Sequence, residues 1–83
     1  MKIRHSRITA ISTKYLQATG RHGARIQVDA GMGRVQRFQY DYAADDPHHA
    51  ALECFLINMG WEEYSEWICG GGEQGNFYVC ISK

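Results

Sequence analysis

Between residues 24 and 42 the chain alternates with a period of two on either side of a glycine-bearing break. This limits its fold more than any other stretch. Ala24, Ile26, Val28 and Ala30 point one way, and Arg25, Gln27 and Asp29 the other. After "GMG" at 31–33, Phe38, Tyr40 and Tyr42 oppose Arg37, Gln39 and Asp41. Such alternation marks two strands with one apolar face each, and the loop glycines supply the positive φ that a short connection needs. If Ala30 pairs with Arg34, then Ile26 meets Phe38, Ala24 meets Tyr40, Arg25 meets Gln39 and Gln27 meets Arg37. A slip of one residue would turn every side chain to the wrong face, so the pattern itself specifies the register.

Helix signals follow at once. Asp46 suits the N-cap, Pro47 the first helical position and Gly60 the position just past the end. Between them Ala51, Leu52, Phe55, Leu56 and Met59 form one stripe at helical spacing, with His48 inside its arc and His49 on its edge. Trp61 is expected to fold back on Leu56, the apolar contact that accompanies a glycine-terminated helix. Residues 7–13 (RITAIST) predict a first strand, and 64–69 (YSEWIC) and 76–81 (NFYVCI) predict two more around "GGGEQG". The order βββαββ predicts an α+β fold: a mainly antiparallel five-stranded sheet with one helix packed on one face.

Composition sets outer limits. The 83 residues make a single domain, 1–83, that buries roughly 60–65% of its unfolded surface. With 45% hydrophobic residues, 22% charged residues and one proline, the chain is globular in composition. No apolar run approaches the roughly 20 residues of a membrane span, and "MKIRHSRITAIS" lacks the apolar centre of a signal peptide. A cytoplasmic protein is therefore expected. Cys54, Cys69 and Cys80 match no metal-ligand spacing and are expected as reduced packing residues.

The zero net charge conceals a division. Residues 1–37 carry eight cations against Asp29 alone, a net of +7, and residues 38–83 carry eight acids against Lys83, a net of −7. Either the halves present separate electrostatic surfaces or they neutralise one another across the fold.

No stretch carries a complete catalytic motif. "TGRHGAR" at 19–25 places Arg21 and Arg25 beside two glycines, which suits phosphate, but no helix follows and no Lys-Ser/Thr pair completes a nucleotide loop. It reads as a solvated connection between strands. "GGGEQGN" at 70–76 lies between strands and reads as a flexible hairpin tip. "GNFYVCI" resembles the base-stacking strand of RNA-recognition domains only loosely, because Gln74 stands where they carry a basic residue before the glycine and the element order differs. His5, His22, His48 and His49 have no nucleophile at a recognisable spacing. No enzymatic activity, cofactor or metal site is expected. Trp67 and Tyr78 fall on the hairpin face opposite Ile68 and Phe77, and if the helix covers the other face this aromatic pair is exposed.

Three blocks, residues 8–28, the helix with "GW" at 60–61 and the final glycine-rich hairpin, give the chain a family likeness. It resembles small, mostly uncharacterised proteins carried by phages and related mobile elements in proteobacteria. It departs from their pattern in "GRHGAR", with its extra basic residues. The resemblance implies an accessory gene, a setting in which small single domains often bind host defence machinery.

The expected function is therefore a non-enzymatic inhibitor or modulator, of anti-CRISPR or anti-restriction type, acting by contact with a host protein or nucleoprotein complex. Glu63, Tyr64, Glu66, Trp67, Glu73 and Tyr78 are the candidate contact residues, with Asp41, Asp45, Asp46 and Glu62 adding charge. The alternative is a nucleic-acid-binding module using Arg7, Lys14, Arg21, Arg25, Arg34 and Arg37. A third reading is a homodimer in which the basic half of one subunit meets the acidic half of another.

Overall fold

The alternating hairpin forms in the register its pattern requires. In the computed structural model, which describes residues 1–5 and 8–82, β2 (Arg25–Asp29) pairs with β3 (Val35–Gln39). Arg25 lies opposite Gln39, Ile26 opposite Phe38 and Gln27 opposite Arg37. Past the strand ends, the Ala30 N–H donates to the Arg34 carbonyl (2.9 Å) and the Tyr40 N–H to the Ala24 carbonyl (3.0 Å). Gly31, Met32 and Gly33 all take positive φ (80°, 55° and 79°), so the loop uses left-handed backbone throughout.

The helix ends where its caps place it. α1 spans Pro47–Met59, and Asp46 Oδ1 accepts from the amides of His48 (3.0 Å) and His49 (3.2 Å). Such a cap is worth ~1 kcal/mol. At the other end Gly60 is left-handed (φ 73°), and the amides of Gly60 and Trp61 donate back to Ile57 (3.1 Å) and Leu56 (2.8 Å). Trp61 folds back by this backbone bond, while its ring meets Phe55 edge-on, 6.1 Å between centroids. Ala51, Leu52, Phe55 and Leu56 are buried and Met59 packs at the rim, as the stripe requires.

The remaining strands are β1 (Ile11–Leu16), β4 (Glu66–Gly71) and β5 (Asn76–Ser82). They complete a five-stranded antiparallel sheet of order β3-β2-β1-β5-β4, an α+β fold with element order βββαββ. β1 lies later than residues 7–13 because Lys14, Tyr15 and Leu16 pair with Gln27, Ile26 and Arg25; Arg7 itself lies outside the described residues. β4 also lies later than 64–69. The chain is still turning at Tyr64, whose amide donates to the Trp61 carbonyl (3.0 Å), and Gly70 and Gly71 extend the ladder opposite Phe77 and Asn76. An edge ladder uses backbone alone, so glycine serves there.

α1 packs chiefly on β1 and β2. Ile11, Ile26, Val28 and Phe55 form the fully buried centre of the core. Ile11 pairs with Tyr78, which sets Tyr78 on the helix-covered face at only 2% exposure. The expected exposure of the Trp67–Tyr78 pair is thereby reversed. Trp67 is half-buried against the core, and Ile68 and Phe77 are the exposed residues of that hairpin. The cysteines also differ from expectation: Cys80 packs inside, but Cys54 and Cys69 are exposed free thiols. Cys54 falls outside the apolar stripe of α1, and Cys69 lies on the edge strand β4, which α1 does not overlie.

The hairpin tip is docked rather than free. The Tyr15 amide donates to the Gln74 carbonyl (3.1 Å), and a Cβ at Gly75 would overlap the Thr13 carbonyl. Glycine is needed there because two backbones touch. Among the described residues no helix is long and apolar enough to cross a membrane.

Candidate functional site

Because α1 sits over β1 and β2, the β4 margin of the same face is left without a helix above it. A groove of about 360 Å³ opens there, lined by His49, Leu52, Glu53, Leu56 and Ile57 of α1, Glu62, Tyr64 and Ser65 of the connection, and Trp67 of β4. The Trp67 indole N–H donates to the Tyr64 carbonyl (2.8 Å), which fixes the indole against the connection. Leu52 and Leu56 form an apolar floor, and exposed Glu53 and Glu62 stand at the margin. An apolar, aromatic centre with a carboxylate rim suits a partner that brings cationic side chains on an apolar stem.

The structure thus joins some of the expected contact residues and separates others. Tyr64 and Trp67 line one groove with Glu62. Glu63 and Glu66 are exposed nearby in the chain but are outside the lining. Glu73 occupies the β4–β5 turn, six residues along from Trp67 and on the order of 20 Å away by strand rise. Tyr78 is buried and leaves the contact set. Asp46 is spent as the N-cap, and the Asp41 carboxylate accepts from the Ala43 amide (3.0 Å); Asp45 is exposed outside the lining. Glu53 was not singled out from the sequence. Its signal is helical: Glu53 and Ile57 flank Leu52 and Leu56 one turn apart on the same edge of the stripe.

The basic residues divide as well. Lys14, Gln27 and Arg37 form one cross-strand row, and Leu16, Arg25 and Gln39 the next, on the sheet face away from α1. Arg25 Nε is buried there without a hydrogen-bond partner. Arg34 lies apart from these rows: it bonds the carbonyls of Gly31 (3.1 Å) and Ala30 (3.0 Å) and lies 5.2 Å over the Trp61 ring. In "TGRHGAR" the Thr19 hydroxyl accepts from the amides of Arg21 (3.3 Å) and His22 (3.2 Å). Those amides are therefore engaged inside the turn, and Arg21 stands exposed upon it. The first three strands form one side of the sheet and the last two the other. The cationic rows lie on the sheet face away from α1, while α1, which carries Glu53 and is capped by Asp46, packs on the other face of β1 and β2.

A polar chain that the sequence did not announce fastens α1 to the sheet. Thr13 Oγ1 and His48 Nδ1 are hydrogen-bonded at 2.7 Å, and Thr13 Oγ1 also accepts from the Asn76 amide (3.1 Å). Asn76 Nδ2 donates to the Tyr78 hydroxyl (3.0 Å), which bonds His49 Nδ1, and His49 Nε2 lies 3.3 Å from Asp46 Oδ2. Asn58 pins the other end of the helix to Gln36 (2.9 Å). These groups satisfy one another, and their role is to hold the groove's helical wall in place.

Burial pushes the Tyr78 hydroxyl from 10.0 up to about 12, partly offset by the bond from Asn76. Unfolding returns it to the ordinary value, so this contribution is complete below pH ~10 and is lost as pH rises towards ~12, by roughly 2–3 kcal/mol. Tyr78→Phe should remove the last-ionising step from the tyrosinate titration. Loss of amplitude near pH ~10 instead would contradict the assignment.

Comparison with protein-family models, curated proteins and solved structures finds no match for this chain.

Proposed function

We propose that the protein is a non-enzymatic binding protein that engages a basic surface on a host protein or nucleoprotein complex through the groove between α1 and the segment leading into β4. The observation that carries this reading is the groove itself, where Trp67 and Tyr64 meet Glu53 and Glu62 over a leucine floor. An anchor aromatic surrounded by rim charges is the arrangement in which binding energy concentrates at protein interfaces. The likeness to phage and mobile-element accessory proteins supports the more specific reading, inhibition or modulation of host defence machinery of the anti-CRISPR or anti-restriction kind. The Glu53 and Glu62 carboxylates at the groove's margin suit contact with a cationic surface such as a nucleic-acid channel. Affinity capture from host lysate, with and without nuclease, tests the proposal. A partner retained after nuclease treatment and lost with Glu53→Lys, Glu62→Lys supports it, and capture indifferent to those changes opposes it.

A second reading has its own observation: Lys14, Arg25 and Arg37 share the open sheet face, with Arg21 on the adjoining turn. If that face binds nucleic acid through about four phosphate contacts, log K falls with log salt at a slope near −3 to −4. Arg21→Ala, Arg25→Ala then flattens the slope by roughly two contacts' worth. No binding to single- or double-stranded DNA or RNA at low salt removes this reading.

A further inference from the structure

The fold leaves one side of the last hairpin bare. Ile68 of β4 and Phe77, Val79 and Ile81 of β5 point away from α1, each between 42% and 60% exposed. The register gathers them, with Ile68 opposite Val79 and Gly70 opposite Phe77. The Phe77 ring lies so close to Gly72 that a Cβ there would strike it, which spreads the ring across glycine backbone as a flat apolar surface. β5 is therefore apolar on both faces from Phe77 to Ile81, the pattern of a strand covered on both sides. α1 covers only one.

We infer that a second copy of this chain covers the other, the two β4–β5 hairpins packing face to face about a two-fold axis that runs along β5. Such an axis sets the patch against its own image, so any central charge would face itself; this patch has none. The flanks complement one another. Glu73 lies in the turn on the β4 side of β5, and Lys14 lies on β1 at the other side. Rotation about β5 exchanges the sides and brings each Glu73 over the partner's Lys14, twice per dimer. The zero net charge of the chain removes long-range repulsion between copies. Other occupants fit less well. Nucleic acid requires cations, which lie over β1–β3, and an anionic lipid surface would meet Glu73 in the adjoining turn. Four apolar side chains cover less than the roughly 800 Å² per partner of a standard interface, so association is concentration-dependent.

Analytical ultracentrifugation of the whole chain tests this. The parent should move from the mass of one chain towards two as concentration rises. Val79→Glu, and separately Ile68→Lys, should stay at one chain with an unchanged far-ultraviolet circular dichroism spectrum, since both side chains are exposed. Lys14→Glu should weaken association several-fold, and adding Glu73→Lys should restore it. A parent that remains a single chain at every concentration overturns the inference. So does association undiminished by Val79→Glu, and failure of the charge exchange to restore the dimer overturns the two-fold geometry.

Discussion

Ile26→Asp should lower the stability of the fold by at least ~3 kcal/mol, whereas Gln27→Asp, one residue along, should change it by no more than about 0.5 kcal/mol. Ile26 is fully buried, opposite Phe38 and within the apolar core cluster, where a carboxylate loses its hydration. Gln27 points to the open face between Lys14 and Arg37, where an added negative charge meets two cations. A domain of this size has a total stability on the order of 5–15 kcal/mol, so the first change consumes a large share of it. Urea denaturation of the two variants checks the result through their midpoints. Equal shifts would mean that the faces of β2 are wrongly assigned.

The second large effect is expected at Trp67. Trp67→Ala should weaken partner capture by ~2 kcal/mol or more, chiefly through faster dissociation, because the indole supplies the apolar centre of the groove. The same ring packs on the core, so its loss also removes packing. Reversal of Glu53 and Glu62 separates the two effects, since both are exposed and lie at the margin of the groove. That pair should slow association while leaving the denaturation midpoint unchanged, and the effect should shrink as salt rises. A Trp67→Ala variant that is folded at the assay temperature and binds as the parent does would remove the indole from the contact.

What the sequence disclosed and what it withheld have separate physical origins. The β2–β3 register and both ends of α1 were legible because their determinants are local: alternation about "GMG", Asp46 before Pro47, and Gly60 after the apolar stripe. The covered face of β5 was not legible, because Phe77, Val79 and Ile81 on one side are as apolar as Tyr78 and Cys80 on the other. Only the long-range pairing of Ile11 with Tyr78 decides it. The docking of Gly75 on Thr13, and the bonds from His48 and His49 to Thr13 and Tyr78, join residues 29 to 62 positions apart in the chain. No spacing rule anticipates them. At the groove, Tyr64, Trp67 and Glu62 were legible as an acidic stretch with aromatics, and Glu53 was missed because it comes from another element.

We propose the groove, rather than the cationic sheet face, as the surface that meets the partner. The most direct measurement is capture from nuclease-treated host lysate with three folded proteins in parallel: the parent, Glu53→Lys with Glu62→Lys, and Lys14→Glu with Arg25→Glu and Arg37→Glu. One and the same partner should be retained by the parent and by the sheet-face variant and lost from the groove variant. Retention by the groove variant together with loss from the sheet-face variant would contradict it.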